Sequence, residues 1–122
     1  MSLAMTKQER ERFLADLHVG IISISEEGRG PLTVPIWYSY TPGGEVRAVT
    51  GATSRKAQLL RKAHRLQPMC TDRRPLARRY LGDRVGDRYI ERTRGETAEN
   101  LLVRMRPERW LTVDYGKVQR SS

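Results

Sequence analysis

The residues best placed to do chemistry run from Thr50 to Lys56, T-G-A-T-S-R-K, where three hydroxyls and two cations fall within seven positions. Thr53 or Ser54 can cap the helix that follows, and the N–H groups of its first turn carry partial positive charge. Arg55 and Lys56 add full charges at the helix end where the macrodipole disfavours cations. An ordinary capped helix gains nothing from that placement, whereas a bound phosphate group gains from all of it. Thr50, Thr53, Ser54, Arg55 and Lys56 are therefore read as phosphate ligands. Upstream, V-P-I-W-Y puts Trp37 and Tyr38 on a strand. Neighbouring strand residues face opposite sides, so at most one of them lines a given pocket. For each of the two, plain core packing and the wall of a flat ring both remain open.

Other reactive side chains form no recognisable set. His18 and His64 lie far apart in sequence without a Cys or carboxylate at ligand spacing, so no metal site is expected. Cys70, in P-M-C-T-D, has no CxxC partner and reads as a plain thiol. The nucleophile elbow, the Walker A loop and the G-x-G-x-x-G fingerprint are all missing from the sequence. No general acid–base pair stands out among the 14 acidic residues. An enzyme built from this chain would have to take its chemistry from a cofactor and contribute position and electrostatics.

A chain of 122 residues makes about one domain with one modest core, here 1–122. Hydrophobic residues supply 38% and charged residues 30%. No apolar run approaches the ~20 residues of a membrane span, and the N-terminus lacks the apolar centre of a secretory signal. A single cysteine rules out an internal disulfide and suits a reducing cytoplasm. The net charge of +9 is spread from Arg10 to Arg120 rather than gathered in a tail. A solvated surface accounts for most of it. The local subset Arg47, Arg55, Lys56, Arg61 and Lys62 is the better functional candidate.

The elements that must position these residues follow from pattern and punctuation. Thr6, with Glu9 three residues on, predicts a capping box and a helix to about Leu17, with Phe13, Leu14 and Leu17 on its apolar face. Residues 18–25 read as a strand and 26–30 as a turn. Pro31 to Tyr40 reads as the next strand, with Pro35 marking an edge or bulge. Thr41-Pro42-Gly43-Gly44 closes a hairpin back into Glu45–Thr50. Ser54 to His64 is an amphipathic helix with Ala57 and Leu60 inward and the side of Leu59 left open. A second helix runs from about Thr71 to Ile90, capped by Asp72 and broken near Gly82. A strand at 101–106 and a short extended piece ending near Tyr115 complete the chain. Strands at both ends with helices grouped between them predict an α+β, mainly β, antiparallel fold rather than a doubly wound parallel sheet.

Several segments together resemble the FMN-binding split-barrel proteins of the pyridoxamine 5′-phosphate oxidase-like family. They are R-F-L-A-D-L-H-V-G-I-I-S-I-S, V-P-I-W-Y, V-T-G-A-T-S-R-K-A-Q-L-L-R-K, R-R-Y-L-G-D-R-V-G-D-R-Y-I-E and V-R-M-R-P-E-R-W-L-T-V-D-Y-G-K-V, and they span most of the chain. The resemblance implies an antiparallel split β-barrel with flanking helices. It also implies a homodimer holding flavin at its interface and acting on a small-molecule substrate. Thr33, Val34, Pro35 and Trp37 would meet the ring and ribityl portions of FMN. Thr50, Ser54, Arg55 and Lys56 would hold the phosphate, with Thr53 beside them. Trp110 would pack close to the cofactor, from either subunit.

There are two departures. The family follows its basic helix with a strand pair, whereas here L-Q-P-M-C-T-D leads straight to the next helix. Roughly two strands are thus unaccounted for between Leu66 and Met69, against the ~5–6 of a typical sheet, and a gap in space is expected there. The full residue set for pyridoxal phosphate recognition is also missing. That leaves open a deazaflavin-dependent reductase, with Arg61, Lys62 and Arg65 facing an anionic tail, or a non-catalytic flavin- or haem-binding protein. A small nucleic-acid binder is disfavoured by the lack of a recognition-helix motif or interleaved surface aromatics.

Overall fold

The structure is a computed structural model, and it describes residues 2–62, 66–67, 73–94 and 100–120. These form an α+β chain of four helices and two small antiparallel sheets. Helix α1, Lys7–Ala15, opens with the expected capping box: the Thr6 hydroxyl accepts from the Glu9 N–H at 3.2 Å, and the Glu9 carboxylate accepts from the Thr6 N–H at 3.1 Å. The helix stops two residues short of the predicted Leu17. Arg79 Nη2 donates to the carbonyls of Ala15 and Asp16 at 3.2 and 2.9 Å and so satisfies the helix end from outside. Phe13 and Leu17 are consequently exposed, and only Leu14 of the expected apolar face is half-buried.

Strands β1 (Gly20–Ile24) and β2 (Leu32–Ile36) pair as a two-stranded ribbon with Ile21 opposite Pro35 and Ile22 opposite Val34. Both are edge strands, where proline is tolerated. The predicted strand 31–40 divides at Trp37–Tyr38. Its second part, β3 (Ser39–Tyr40), joins a different sheet by pairing with β4 (Val46–Gly51) across the Thr41–Gly44 turn. The physical reason is a side-chain partner that replaces the ladder. The Tyr38 N–H donates to the Tyr80 hydroxyl at 3.1 Å, and the Tyr38 carbonyl accepts from Arg79 Nε at 3.1 Å. The second sheet runs β3-β4-β6-β5, with β5 at Leu66–Gln67 and β6 at Asn100–Met105.

Helix α2, Arg55–Lys62, follows β4 and buries Ala57 and Leu60 as its pattern predicts, and Leu59 with them. These leucines join Ile22, Ile24, Ile36, Ala48 and Val103 in the core between ribbon, helix and sheet. Helix α3, Arg74–Arg92, is in fact two arms that fold back at Gly82, where φ is +79° and ψ 166°. Arg78 on the first arm makes two 2.8 Å bonds to Asp87 on the second, and Arg73 donates to Thr93 Oγ1 at 2.8 Å. The predicted break at Gly82 is therefore a reversal of direction. Leu66 and Gln67, expected to lead straight to the next helix, instead form the short strand β5 on β6, while the predicted Asp72 cap and the rest of the expected gap lie outside the described residues.

The expected extended piece before Tyr115 pairs with no strand. It lies along the N-terminal segment, with Asp114 N–H donating to the Leu3 carbonyl at 2.7 Å and Met5 N–H to Thr112 Oγ1 at 2.8 Å. A short helix not anticipated from the sequence, α4, spans Gly116–Arg120. Among the described residues the two sheets do not close into a barrel, and no helix is long and apolar enough to cross a membrane.

Candidate functional site

The start of α2 is built as its sequence implies. Ser54 Oγ accepts from the Ala57 N–H at 3.1 Å, the bond of an N-cap. Thr50, almost fully buried, shares a 2.9 Å hydrogen bond with the same hydroxyl. A turn closed by Ser54 N–H to the Gly51 carbonyl at 3.1 Å leaves Thr53 exposed. The two inner hydroxyls thus shape the helix entry.

Arg55 and Lys56 part company because successive helix positions are rotated by about 100°. Arg55 bonds to Glu26 and, at 3.1 Å, to Gln58. It borders a groove of about 700 Å³ between ribbon and helix, floored by Ile22, Ile24, Leu59 and Leu60. Lys56 borders a different cleft of about 320 Å³.

That smaller cleft brings together Pro35 from β2, Trp37 just beyond it, Val49 from β4, Lys56 from α2, Arg73 just before α3, and Leu76 and Tyr89 from its two arms. Its aromatic wall is fixed. Trp37 stacks on Tyr80 with ring centres 5.0 Å apart and planes 6° from parallel, and Tyr89 tilts against it at 5.6 Å. The Tyr80 hydroxyl accepts from the Tyr38 N–H and donates to the His18 carbonyl, so the ring behind Trp37 is locked to the backbone. Next to it, burial raises the Tyr38 hydroxyl above the ordinary tyrosine range, and that hydroxyl donates to the Leu14 carbonyl at 2.9 Å. Arg73 is held by the neutral oxygens of Thr93. Lys56 has no ion-pair partner among the described residues. No carboxylate among those residues lines the cleft.

Of the residues singled out from sequence, Pro35, Trp37 and Lys56 converge here. Thr33 lies on the outer face of the ribbon, bonded to Ser23 at 3.0 Å. Val34 packs against the core from the opposite face. Trp110 lines neither cavity; the Arg10 guanidinium sits 4.2 Å over its ring. Sequence reasoning missed Arg73, Leu76 and Tyr89. The available signal was Gly86, four residues after Gly82. A Cβ at position 86 would stand 2.8 Å from the Arg78 backbone, so a glycine there marks two helix arms in close contact.

An aromatic wall facing two cations, without a carboxylate to compete, suits a flat ring that carries an anionic group. Lys56 and Arg73 are the cations that such an anionic group would meet. Comparison with known protein families, with curated proteins and with solved structures found no match to this chain.

Proposed function

We propose that this chain is an FMN-binding oxidoreductase of the pyridoxamine 5′-phosphate oxidase-like kind. It works as a cytoplasmic homodimer with the cofactor at the subunit interface and acts on a small molecule. The two antiparallel sheets are then parts of one split barrel. The observation that carries the proposal is the convergence of Pro35, Trp37 and Lys56 with Arg73 on one cleft. Lys56 and Arg73 hold the phosphate through charge-assisted bonds. The Trp37 indole, backed by Tyr80, orients the ring, while Val49 and Ile36 exclude water beside it. A bound flavin supplies hydride or electron transfer through N5. A second reading is a deazaflavin coenzyme with a longer anionic tail, for which Arg61 is the exposed cation on α2, while Lys62 borders the groove beside Arg55.

The test is a titration of the purified protein with FMN and, separately, with the deazaflavin coenzyme, read by absorbance and by quenching of tryptophan emission. Saturable binding of FMN supports the proposal. Binding of the deazaflavin alone moves the chain to the second reading. FMN bound without turnover by a nicotinamide donor makes it a carrier or sensor, and binding of neither overturns the proposal.

A further inference from the structure

A second compartment of about 260 Å³ adjoins the cleft beside the first arm of α3, and Val49 and Leu76 line both. Its lining is mostly apolar, from Val49, Leu76, Pro75 and Leu102, with Ser39, Arg47 and Arg79 as its polar side chains. The topology explains it. Ser39, Arg47 and Leu102 lie on neighbouring strands, with Ser39 opposite Arg47 and Val49 opposite Leu102. On the far side of this sheet Ala48 and Val103 belong to the core, so Arg47 and Val49 face the α3 side.

Neither arginine is neutralised one-to-one. Arg79 donates to the backbone carbonyls of Tyr38, Ala15 and Asp16 and forms no ion pair among the described residues. Arg47 approaches Glu45 only at 3.9 Å, and that carboxylate is already bound by Arg104 Nε at 2.7 Å. The Arg47 side chain remains 57% exposed. No acidic side chain among the described residues lines the compartment.

We infer that this compartment takes a small apolar carboxylic acid, its carboxylate on Arg47 and its hydrocarbon or aryl body against Val49, Leu76 and Leu102. The inference rests on the flavin reading for its purpose: Val49 and Leu76 set the body of such an acid beside the ring cleft, which makes this the substrate class. An apolar lining selects little among uncharged molecules of similar size, whereas a guanidinium at one end rejects the amide or amine analogue of an acid that fits.

The test uses phenylacetate and phenylacetamide, titrated into the protein with and without FMN and followed by amide NMR shifts of Val49, Leu76 and Leu102. Phenylacetate should move these signals saturably and bind at least tenfold more tightly than phenylacetamide. Arg47→Gln should abolish that preference, Arg47→Lys should restore part of it, and neither should change the far-UV circular dichroism. Equal affinity for acid and amide, a preference that survives Arg47→Gln, or no shift at the three residues would each overturn the inference. Phenylacetate selectivity in a protein that binds no flavin would uphold this site and discard the cofactor reading. Tight flavin binding without selectivity would do the reverse.

Discussion

Gly86→Ala tests whether α3 is a folded hairpin, on which the cleft depends. In a single straight helix the substitution would stabilise the protein by about 1 kcal/mol, because alanine exceeds glycine by that much in helix propensity. In the folded arrangement the new Cβ meets the Cα and N of Arg78 at 2.8 Å and the carbonyl carbon of Ala77 at 3.0 Å. All three are backbone atoms that no rotamer change can move. To reach ordinary contact near 3.5 Å the arms must part by roughly 0.7 Å. Overpacking of this kind costs about 1–3 kcal/mol, and the rigid neighbours place it in the upper half. Subtracting the propensity gain leaves a net loss of about 1–2 kcal/mol. At an m-value of ~1.5 kcal/mol/M, the urea midpoint should fall by roughly 1 M. Gly82→Ala is the companion. Nothing lies within 4 Å of its Cβ, but its φ of +79° with ψ of 166° is a conformation essentially restricted to glycine, so it should lose about 1–3 kcal/mol through backbone strain alone. Urea unfolding followed at 222 nm measures both. A Gly86→Ala protein more stable than the parent would refute the hairpin, and with it the approach of Arg73 and Tyr89 to Trp37.

Three other expectations follow from the same contacts. Tyr80→Phe keeps the stack on Trp37 but removes the hydroxyl that holds Tyr38 and His18, and should cost about 1–3 kcal/mol in urea unfolding; an unchanged midpoint would show that these bonds do not form. Thr50→Val deletes the partner of Ser54 while leaving the Ser54 cap on Ala57, so stability should drop by about 1 kcal/mol with FMN affinity nearly unchanged; a large loss of affinity would mean that the hydroxyl itself touches the ligand. Glu9 is held down to about 2, first by its bond to Lys117 and then by the Thr6 N–H. Its folded value lies below its unfolded one, so its contribution is complete above the ordinary carboxylate range and is lost as pH falls through about 2. NMR titration of the Glu9 carboxyl should show the depressed midpoint, and Lys117→Met should raise it part of the way, the Thr6 bonds remaining. A normal midpoint in the parent would contradict the contact between α1 and the C-terminal segment.

Local signals in the sequence carried far. The Thr6–Glu9 box, the Thr41–Gly44 turn, the inward face of α2 and the break at Gly82 are each written in a few adjacent residues, because each is held by bonds within one turn or one hairpin. What escaped depends on partners far along the chain. The run from Pro31 to Tyr40 has the composition of one strand. It divides because Tyr80 and Arg79, about forty positions away, take the backbone of Tyr38. Arg55 and Lys56 look like one cationic pair in sequence, but helical rotation sends them to different cavities, and only Glu26, across the turn of the ribbon, reveals which way Arg55 goes. Half of the cleft was legible for the same reason: Pro35, Trp37 and Lys56 sit next to recognisable turns and caps, whereas Arg73 and Tyr89 arrive through the reversal of α3. Trp110 carried no local cue to its place, because the cation over its ring belongs to α1 at the other end of the chain.

The central claim is that the cleft beside Lys56, rather than the groove beside Arg55, holds the flavin phosphate. The most direct measurement is the FMN dissociation constant of the parent, Lys56→Ala and Arg55→Ala proteins under one buffer condition. A charge-assisted bond is worth about 1.5–3 kcal/mol, so Lys56→Ala should weaken binding by roughly ten- to a hundredfold while Arg55→Ala stays close to the parent. Equal loss in both variants, or a loss confined to Arg55→Ala, would contradict the account.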